Sequence, residues 1–474
     1  HLHRLPIAME TCRQPRGLTR QPSPTVLFGF LLCCFVQKIL CSYVNTIYPT
    51  HALTVDQTIR SSAGAFELGY FTLGNPARYY IGVWFKDKPG DNVVWVANRK
   101  RPLQDNTAEF KISEDGNLVL QTQSGSSVIW STNLNPSPRS SSMVAVLLDS
   151  GNLVLRDNSS SGTIFWDSFS HPTNTYLPGQ IFGLNKVTKQ RQVLTSWKNL
   201  QDPSPGPFSF EIDPDGTAQC FLLWNRTHKY WSTGIWDGHI FANSPEMRGY
   251  SAITFNYVTN DTVSYFTYAF YGSMSRYIVD HTGQLKQYIW DKDKSQWTLL
   301  WLKPTEYQTC EVYGLCGAFG VCDQVSLNPC QCVEGFKPAS AKNWELNDWS
   351  DGCTRKNKLQ CAGDQFSLLP KMNAPGKPDA STTLASANEC KSACLKDCSC
   401  TAYSYKETNC SIWRGDLFNL QQLSEGSGNG VYVRLAGALQ IATNETTKTQ
   451  PSPVITEAST RGKLGSPSLK KFRR

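Results

Sequence analysis

The pentapeptide GNLVL occurs twice, at residues 116–120 and 151–155, a separation of 35. Trp95 in VVWVANR and Trp130 in VIWSTN are offset by the same 35 residues. A constant offset between short strand-like segments marks a repeated folding unit, in which each copy covers its aromatic and apolar face with its neighbours. In each copy the Gly-Asn pair sets a turn, and the strand after it puts its two leucines on one face and its valine on the other. The flanking runs AFELGYF, YYIGVWF, EFKISEDGNLVL and IFWDSF are separated by Gly, Asn, Asp, Ser and Pro. Residues 45–170 are therefore expected to be all-β, as a sandwich, barrel or prism. Residues 171–305 continue β-rich (FSFEIDPDG, KYWSTGIWDG, SYFTYAFYG) but without that register.

At 474 residues the chain is too long for a single core. Its net charge of +8 is concentrated at its ends. Residues 1–41 hold five Lys/Arg and one acid, residues 436–474 hold seven and two, and the remainder nets −1. A neutral body excludes a nucleic-acid partner. From Met9, Arg13, Arg16 and Arg20 lead into VLFGFLLCCFV and then small residues near Cys41 and Ser42, the pattern of a secretory signal. That apolar run is about half of the roughly 20 residues a membrane span needs, and no other stretch is apolar enough. Export to the extracellular space is expected, with residues 1–41 as upstream extension and signal. The basic, Pro/Ser/Thr-rich segment 436–474 is expected to be disordered.

Export decides how the cysteines read. Four of the seventeen lie in the signal region, Cys220 stands alone, and twelve crowd into residues 310–410 without a histidine among them. In an oxidising compartment that is a disulfide framework, and no metal or cofactor is expected. Cys390, Cys394 and Cys398 recur every four residues, as on one helical face. Sequons at Asn158, Asn225, Asn260 and Asn444 fit glycosylation on the same route. Parity leaves Cys220 unpaired, as an inert buried thiol in the strand CFLLW or as an exposed one that links two chains.

Long motifs then place the chain. FELGYF, YYIGVWF, VVWVANR, LLDSGNLVLRD, IFWDSFSHPTNTYLPGQ, YWSTGIWDGHIF, CEVYGLCGAFGVC, CQCVEGFKP and CLKDCSCTAYSY occur in this order between about residues 45 and 435. The chain resembles the ectodomain of plant S-locus glycoproteins and of S-domain (G-type lectin) receptor-like serine/threonine kinases. The resemblance implies a mainly β, multidomain fold: a bulb-type lectin β-prism (42–170), an S-locus glycoprotein domain (171–305), an EGF-like module (306–354) and a PAN/apple module (361–435). It implies the pairs Cys310–Cys322, Cys316–Cys330 and Cys332–Cys353 in the EGF-like module. In the PAN-like module Cys390–Cys410 and Cys394–Cys400 are expected, with Cys361 and Cys398 left for each other.

Bulb-type mannose lectins carry Gln-x-Asp-x-Asn-x-Val-x-Tyr, whose polar side chains bond sugar hydroxyls while the Val packs on the ring. The corresponding residues are Ser113, Asp115, Asn117, Val119 and Gln121 in the first copy, and Leu148, Ser150, Asn152, Val154 and Arg156 in the second. Asp115, Asn117 and Val119 are therefore the sugar-binding candidates, although turn formation is the expected first role of both asparagines. His171 and Trp166 are expected to pack. GSGNGV at residues 426–431 is a turn, since no VAIK, HRD or DFG motif follows it. No catalytic constellation stands out, and the chain is not expected to be an enzyme. The resemblance implies a recognition protein whose partner is a small cysteine-rich protein or peptide, with a homodimer or a receptor kinase alongside. The alternatives are a mannose-type lectin acting in defence, which takes a glycan, and the ectodomain of a receptor kinase whose gene continues.

Overall fold

In the computed structural model the described residues are 45–437, except 87–91, 126, 136–139, 374 and 424–427. The expected signal segment, Asn444 and nearly all of the expected tail lie outside them.

The first β-domain is built of three antiparallel sheets. One holds Thr58–Arg60, Phe66–Leu73, Arg78–Phe85 and Val93–Val96; the next holds Ala108–Ile112, Leu118–Thr122 and Val128–Ser131. The third holds Met143–Leu147, Leu153–Asp157 and Ile164–Asp167, and the short strand Thr46–Ile47 pairs along its edge. Each sheet contributes one tryptophan to the centre, and the three rings meet edge to face. Trp95 and Trp130 are 5.7 Å apart, Trp95 and Trp166 5.8 Å, and Trp130 and Trp166 5.6 Å. Each such contact adds about 1 kcal/mol to the burial of its rings.

The repeat extends to the hydrogen-bond ladder. Val83 pairs with Trp95, Leu120 with Trp130 and Leu155 with Trp166, and each sheet has its bulge immediately after that pair. Two copies of the unit are printed as GNLVL, and the third is the strand Arg78–Phe85, where Tyr80 and Gly82 take the places of Asn and Val. Gly116 and Gly151 turn with φ of +81° and +85°. At Gly151 a Cβ would lie 2.7 Å from the Phe66 ring, so both conformation and space require glycine.

The second β-domain also has three antiparallel sheets. The first comprises Val193–Asn199, Asp202–Ile212, Cys220–Trp224 and His228–Ser232. Phe182–Asn185, Ile253–Thr259 and Val263–Phe270 make the second. Ser275–Val279, Leu285–Asp291 and Gln296–Lys303 make the third, with the short strand Thr175–Tyr176 on its edge. The closing device of the first domain thus recurs. Its core is a cluster of rings that includes Tyr176, Phe182, Phe208, Phe210, Phe266 and Tyr268.

The cysteine-rich remainder does not divide into two independent sheets. Gly320–Asp323 runs parallel to Leu420–Gln422, which joins Cys330–Cys332 to the strands Gln365–Asn373 and Asn429–Leu435 in one eight-stranded sheet. The helical face expected through Cys398 is shorter than that. The helix Ala387–Lys396, capped by Ser386, buries Cys390 and Cys394 and stops at Asp397. Asp397 instead accepts from Ser399 N in a turn that carries Cys398 off the helix. Among the described residues no helix is long and apolar enough to cross a membrane.

Candidate functional site

The first copy of the lectin-type motif forms a groove of about 980 Å³, lined by Lys111, Ser113, Asp115, Asn117, Val119 and Gln121 among others. The three candidates Asp115, Asn117 and Val119 are brought together there. Asp115 is exposed, while Asn117 and Val119 are buried to 5% and 4% exposure in its floor. The amide of Asn117 is engaged at both ends. Its Oδ1 accepts from Thr132 Oγ1 at 2.9 Å and from Leu134 N at 2.7 Å, and its Nδ2 donates to Asp115 Oδ2 at 2.9 Å. Asp115 also accepts from the Ser113 hydroxyl, which is the largest cause holding its carboxyl below the usual range.

The second copy uses its asparagine in the same way. Asn152 Oδ1 accepts from Ser168 Oγ at 3.0 Å and from Phe169 N at 3.1 Å. Ser168 and Thr132 in turn accept from Leu153 N and Leu118 N, so hydroxyl and amide together tie each strand to its neighbour. In the third unit Ala97 follows the tryptophan strand where Thr132 and Ser168 stand. The amide oxygen of Asn98 accepts from Ile81 N instead, at 2.9 Å. On the outward face of the second copy Val154 packs with Val144 and Val146 and is 1% exposed.

The outward face of the third unit is covered by the second β-domain. Tyr80 and Val96 cluster with Trp197, flanked by Phe71, Leu73 and Val93. Arg99 fastens this joint: buried, it donates from Nε to Pro203 O and from Nη2 to Ser196 O, both at 2.7 Å. Burial pulls its pKa down to about 10, which leaves it charged at neutral pH. Phe85 against Trp297, 5.0 Å between ring centres, closes another part of the joint. His171 lies stacked on Trp166 at 5.2 Å, and its carbonyl accepts from Trp95 Nε1. Sequence reasoning missed Trp197 and the role of Arg99; the only signal was the Asn-Arg that ends VVWVANR.

Disulfides join Cys310 to Cys322, Cys316 to Cys330, Cys332 to Cys353, Cys361 to Cys398, Cys390 to Cys410 and Cys394 to Cys400. Cys220 is unpaired and fully buried in the second core, and burial pushes its thiol far up. That burial overturns the reading of Cys220 as an exposed interchain thiol. Asn158, Asn225 and Asn260 are exposed. Asn260 Oδ1 accepts from the hydroxyl of Thr262, the third residue of its own sequon, at 2.9 Å.

Family models match at residues 92–198 (D-mannose binding lectin), 231–340 (S-locus glycoprotein domain) and 360–420 (PAN-like domain). An S-locus-specific glycoprotein of Brassica oleracea var. alboglabra is 33% identical over 438 residues, covering 88% of this chain and 98% of that protein. The chain belongs to the S-locus glycoprotein family. A G-type lectin S-receptor-like serine/threonine-protein kinase of Arabidopsis thaliana is 44% identical over 428 residues, with 87% of this chain and 51% of the kinase covered. The chain thus spans about half the length of the receptor-kinase relatives it matches. A monomeric monocot mannose-binding lectin from Gastrodia elata is 18% identical over 26% of the chain and 96% of its own, with a TM-score of 0.20. Among the described residues, the groove that carries Asp115, Asn117 and Val119 opens on the outward face of the first copy.

Proposed function

We propose that this chain is an extracellular recognition protein of the receptor-ectodomain type, without catalytic activity of its own, which binds a small cysteine-rich protein or peptide rather than mannose. The observation that carries this reading is the engagement of Asn117. In the groove of the first copy its amide oxygen is held by Thr132 and Leu134 and its nitrogen by Asp115, so the side chain serves the scaffold. Ser113 and Gln121 replace the Gln and Tyr of the mannose motif, and each lost hydrogen bond removes about 1 kcal/mol, or about a factor of five in affinity. The similarity to an S-locus-specific glycoprotein and to a receptor-like kinase supports a signalling partner outside the cell. A second copy of the chain or a receptor kinase is the expected companion. The exposed sequons at Asn158, Asn225 and Asn260 are proposed glycosylation sites, in keeping with export.

The test uses the full chain secreted from a eukaryotic host. Retention of a disulfide-bonded apoplastic peptide, lost when that peptide is reduced, is expected. Methyl mannoside binding tighter than about 1 mM that Asn117→Ala abolishes would favour the mannose lectin instead.

A further inference from the structure

Among the described residues the three most exposed large apolar side chains are Leu327, which is fully exposed, Val325 at 90% and Tyr307 at 81%. All three lie in the segment closed by the first three disulfides, and the fold gathers them. Tyr307 stands on the helical turn Glu306–Glu311, and Val325 and Leu327 lie in the loop between Cys322 and Cys330. Gln324 fastens loop to turn: its Nε2 donates to Glu306 O at 2.8 Å and its Oε1 accepts from Cys310 N at 2.9 Å. A single exposed leucine is ordinary on a protein surface, whereas several apolar side chains held out together mark a place of contact.

The loop is built to keep its shape. Its two ends, Cys322 and Cys330, are disulfide-bonded to Cys310 and Cys316. Inside it Asp323 N donates to Pro329 O at 2.7 Å, and Asp323 Oδ1 accepts from Val325 N at 3.1 Å. A surface fixed in advance loses little conformational freedom when a partner docks. The surroundings define the partner's charge. Glu306 and Glu311 are exposed on the same turn as Tyr307, Asp323 starts the loop, and residues 304–333 contain no Lys, Arg or His. The strand Leu420–Gln422, paired to Gly320–Asp323, is uncharged as well. Glu311 accepts from Gln308 Nε2 and Asp323 from backbone, bonds that leave both negative charges in place.

We propose that Tyr307, Val325 and Leu327 form a docking surface for the basic face of a small disulfide-bonded peptide. Its apolar side chains cover these three residues, and its Lys or Arg residues face Glu306, Glu311 and Asp323. The proposal rests on the protein-ligand reading above and locates that contact away from the groove around Asn117. Carboxylates at the rim speed the encounter and make it salt-dependent, while the apolar centre sets how long the complex lasts.

The experiment uses the full secreted chain to select from a phage-displayed library of random peptides, each closed by one disulfide. Enriched peptides are expected to combine Lys or Arg with apolar residues. Their affinity should fall about ten-fold or more in Val325→Ser/Leu327→Ser, and their association should slow in Glu306→Gln/Glu311→Gln. Melting of both variants at the wild-type temperature separates a lost surface from a damaged fold. No enrichment, enrichment of neutral or acidic peptides, or binding that survives Val325→Ser/Leu327→Ser overturns the proposal. Binding to phosphatidylcholine vesicles, or dimerisation of the chain, that is lost in the same variant also overturns it, since the surface would then take lipid or a second copy. If that variant still retains the apoplastic peptide, this site fails and the protein-ligand reading stands. If wild type retains none, that reading fails, and the library result still decides the surface.

Discussion

Arg434 and Asp364 form an ion pair, Nε to Oδ2 at 2.9 Å, in which neither side chain has any exposure to solvent. The remaining donors of Arg434 reach the carbonyls of Cys361, Cys394, Asp397 and Cys400, so one guanidinium ties the helix, its exit turn and two disulfides to the last strand. Removing one partner of a buried pair leaves a charge stranded and costs about 3–5 kcal/mol. Arg434→Ala is expected to lower the unfolding free energy of the cysteine-rich region by that amount, read from the shift of its denaturant midpoint, and to cut the secreted yield. Wild-type stability in the variant would show that the pair is dispensable.

The three central tryptophans should act as one packing unit. Trp130→Ala removes two edge-to-face contacts at once and is expected to destabilise the first domain by about 3–5 kcal/mol. Trp130→Phe should cost clearly less, because a ring still packs against both Trp95 and Trp166. Urea unfolding followed by circular dichroism reads both.

Asn117 and Asn152 should respond alike if both serve the fold. Alanine at either position leaves a backbone N–H, of Leu134 or of Phe169, without its acceptor. A loss of about 1–3 kcal/mol is expected for each. Equal falls in melting temperature support the shared role. A fall for Asn152→Ala alone would mean that Asn117 is not a scaffold residue.

Asp280 and Lys286 make stability depend on pH at both extremes. Asp280 lies below its ordinary 3.8, although burial opposes this, because Lys286 is the largest of the causes that lower it. Its contribution is present above pH 3.8 and is lost as pH falls through the depressed value. Lys286, also opposed by burial, lies above its ordinary 10.5 because of Asp280. Its contribution is complete below pH 10.5 and is lost as pH rises through the raised value. Melting temperatures of wild type against Lys286→Met should differ between those limits and converge outside them.

Cys220 should behave as a core residue. Its thiol is inaccessible and its pKa is raised by burial, so thiol labelling is expected to be slow in the native protein and fast in denaturant. Cys220→Ser should leave the mass on non-reducing electrophoresis unchanged. A dimer band that disappears in Cys220→Ser would refute this.

The amino-acid sequence by itself determined the strand units, the turns and the chemical class of the cysteine-rich end. Those features depend on alternation and turn residues within a few neighbours, and on how many cysteines share a short stretch. The 35-residue offset disclosed two units of the first prism. The third was hidden because Tyr80 and Gly82 stand where the others print Asn and Val, although its backbone pairing is the same. The three-sheet arrangement of the second β-domain escaped because its sheets draw strands from distant parts of the chain, Thr175–Tyr176 beside Ser275–Val279 and Phe182–Asn185 beside Val263–Phe270. Only the tertiary structure decided what each outward face does. The three faces carry the same backbone, yet one carries a cluster of valines, one is roofed by Trp197 and Arg99's partners, and one holds the groove around Asn117. The bonds of Asn117 reach 15 and 17 residues along the chain, and Arg99 reaches 104 to Pro203. Contacts at that range form only when whole sheets pack, so no local pattern announces them.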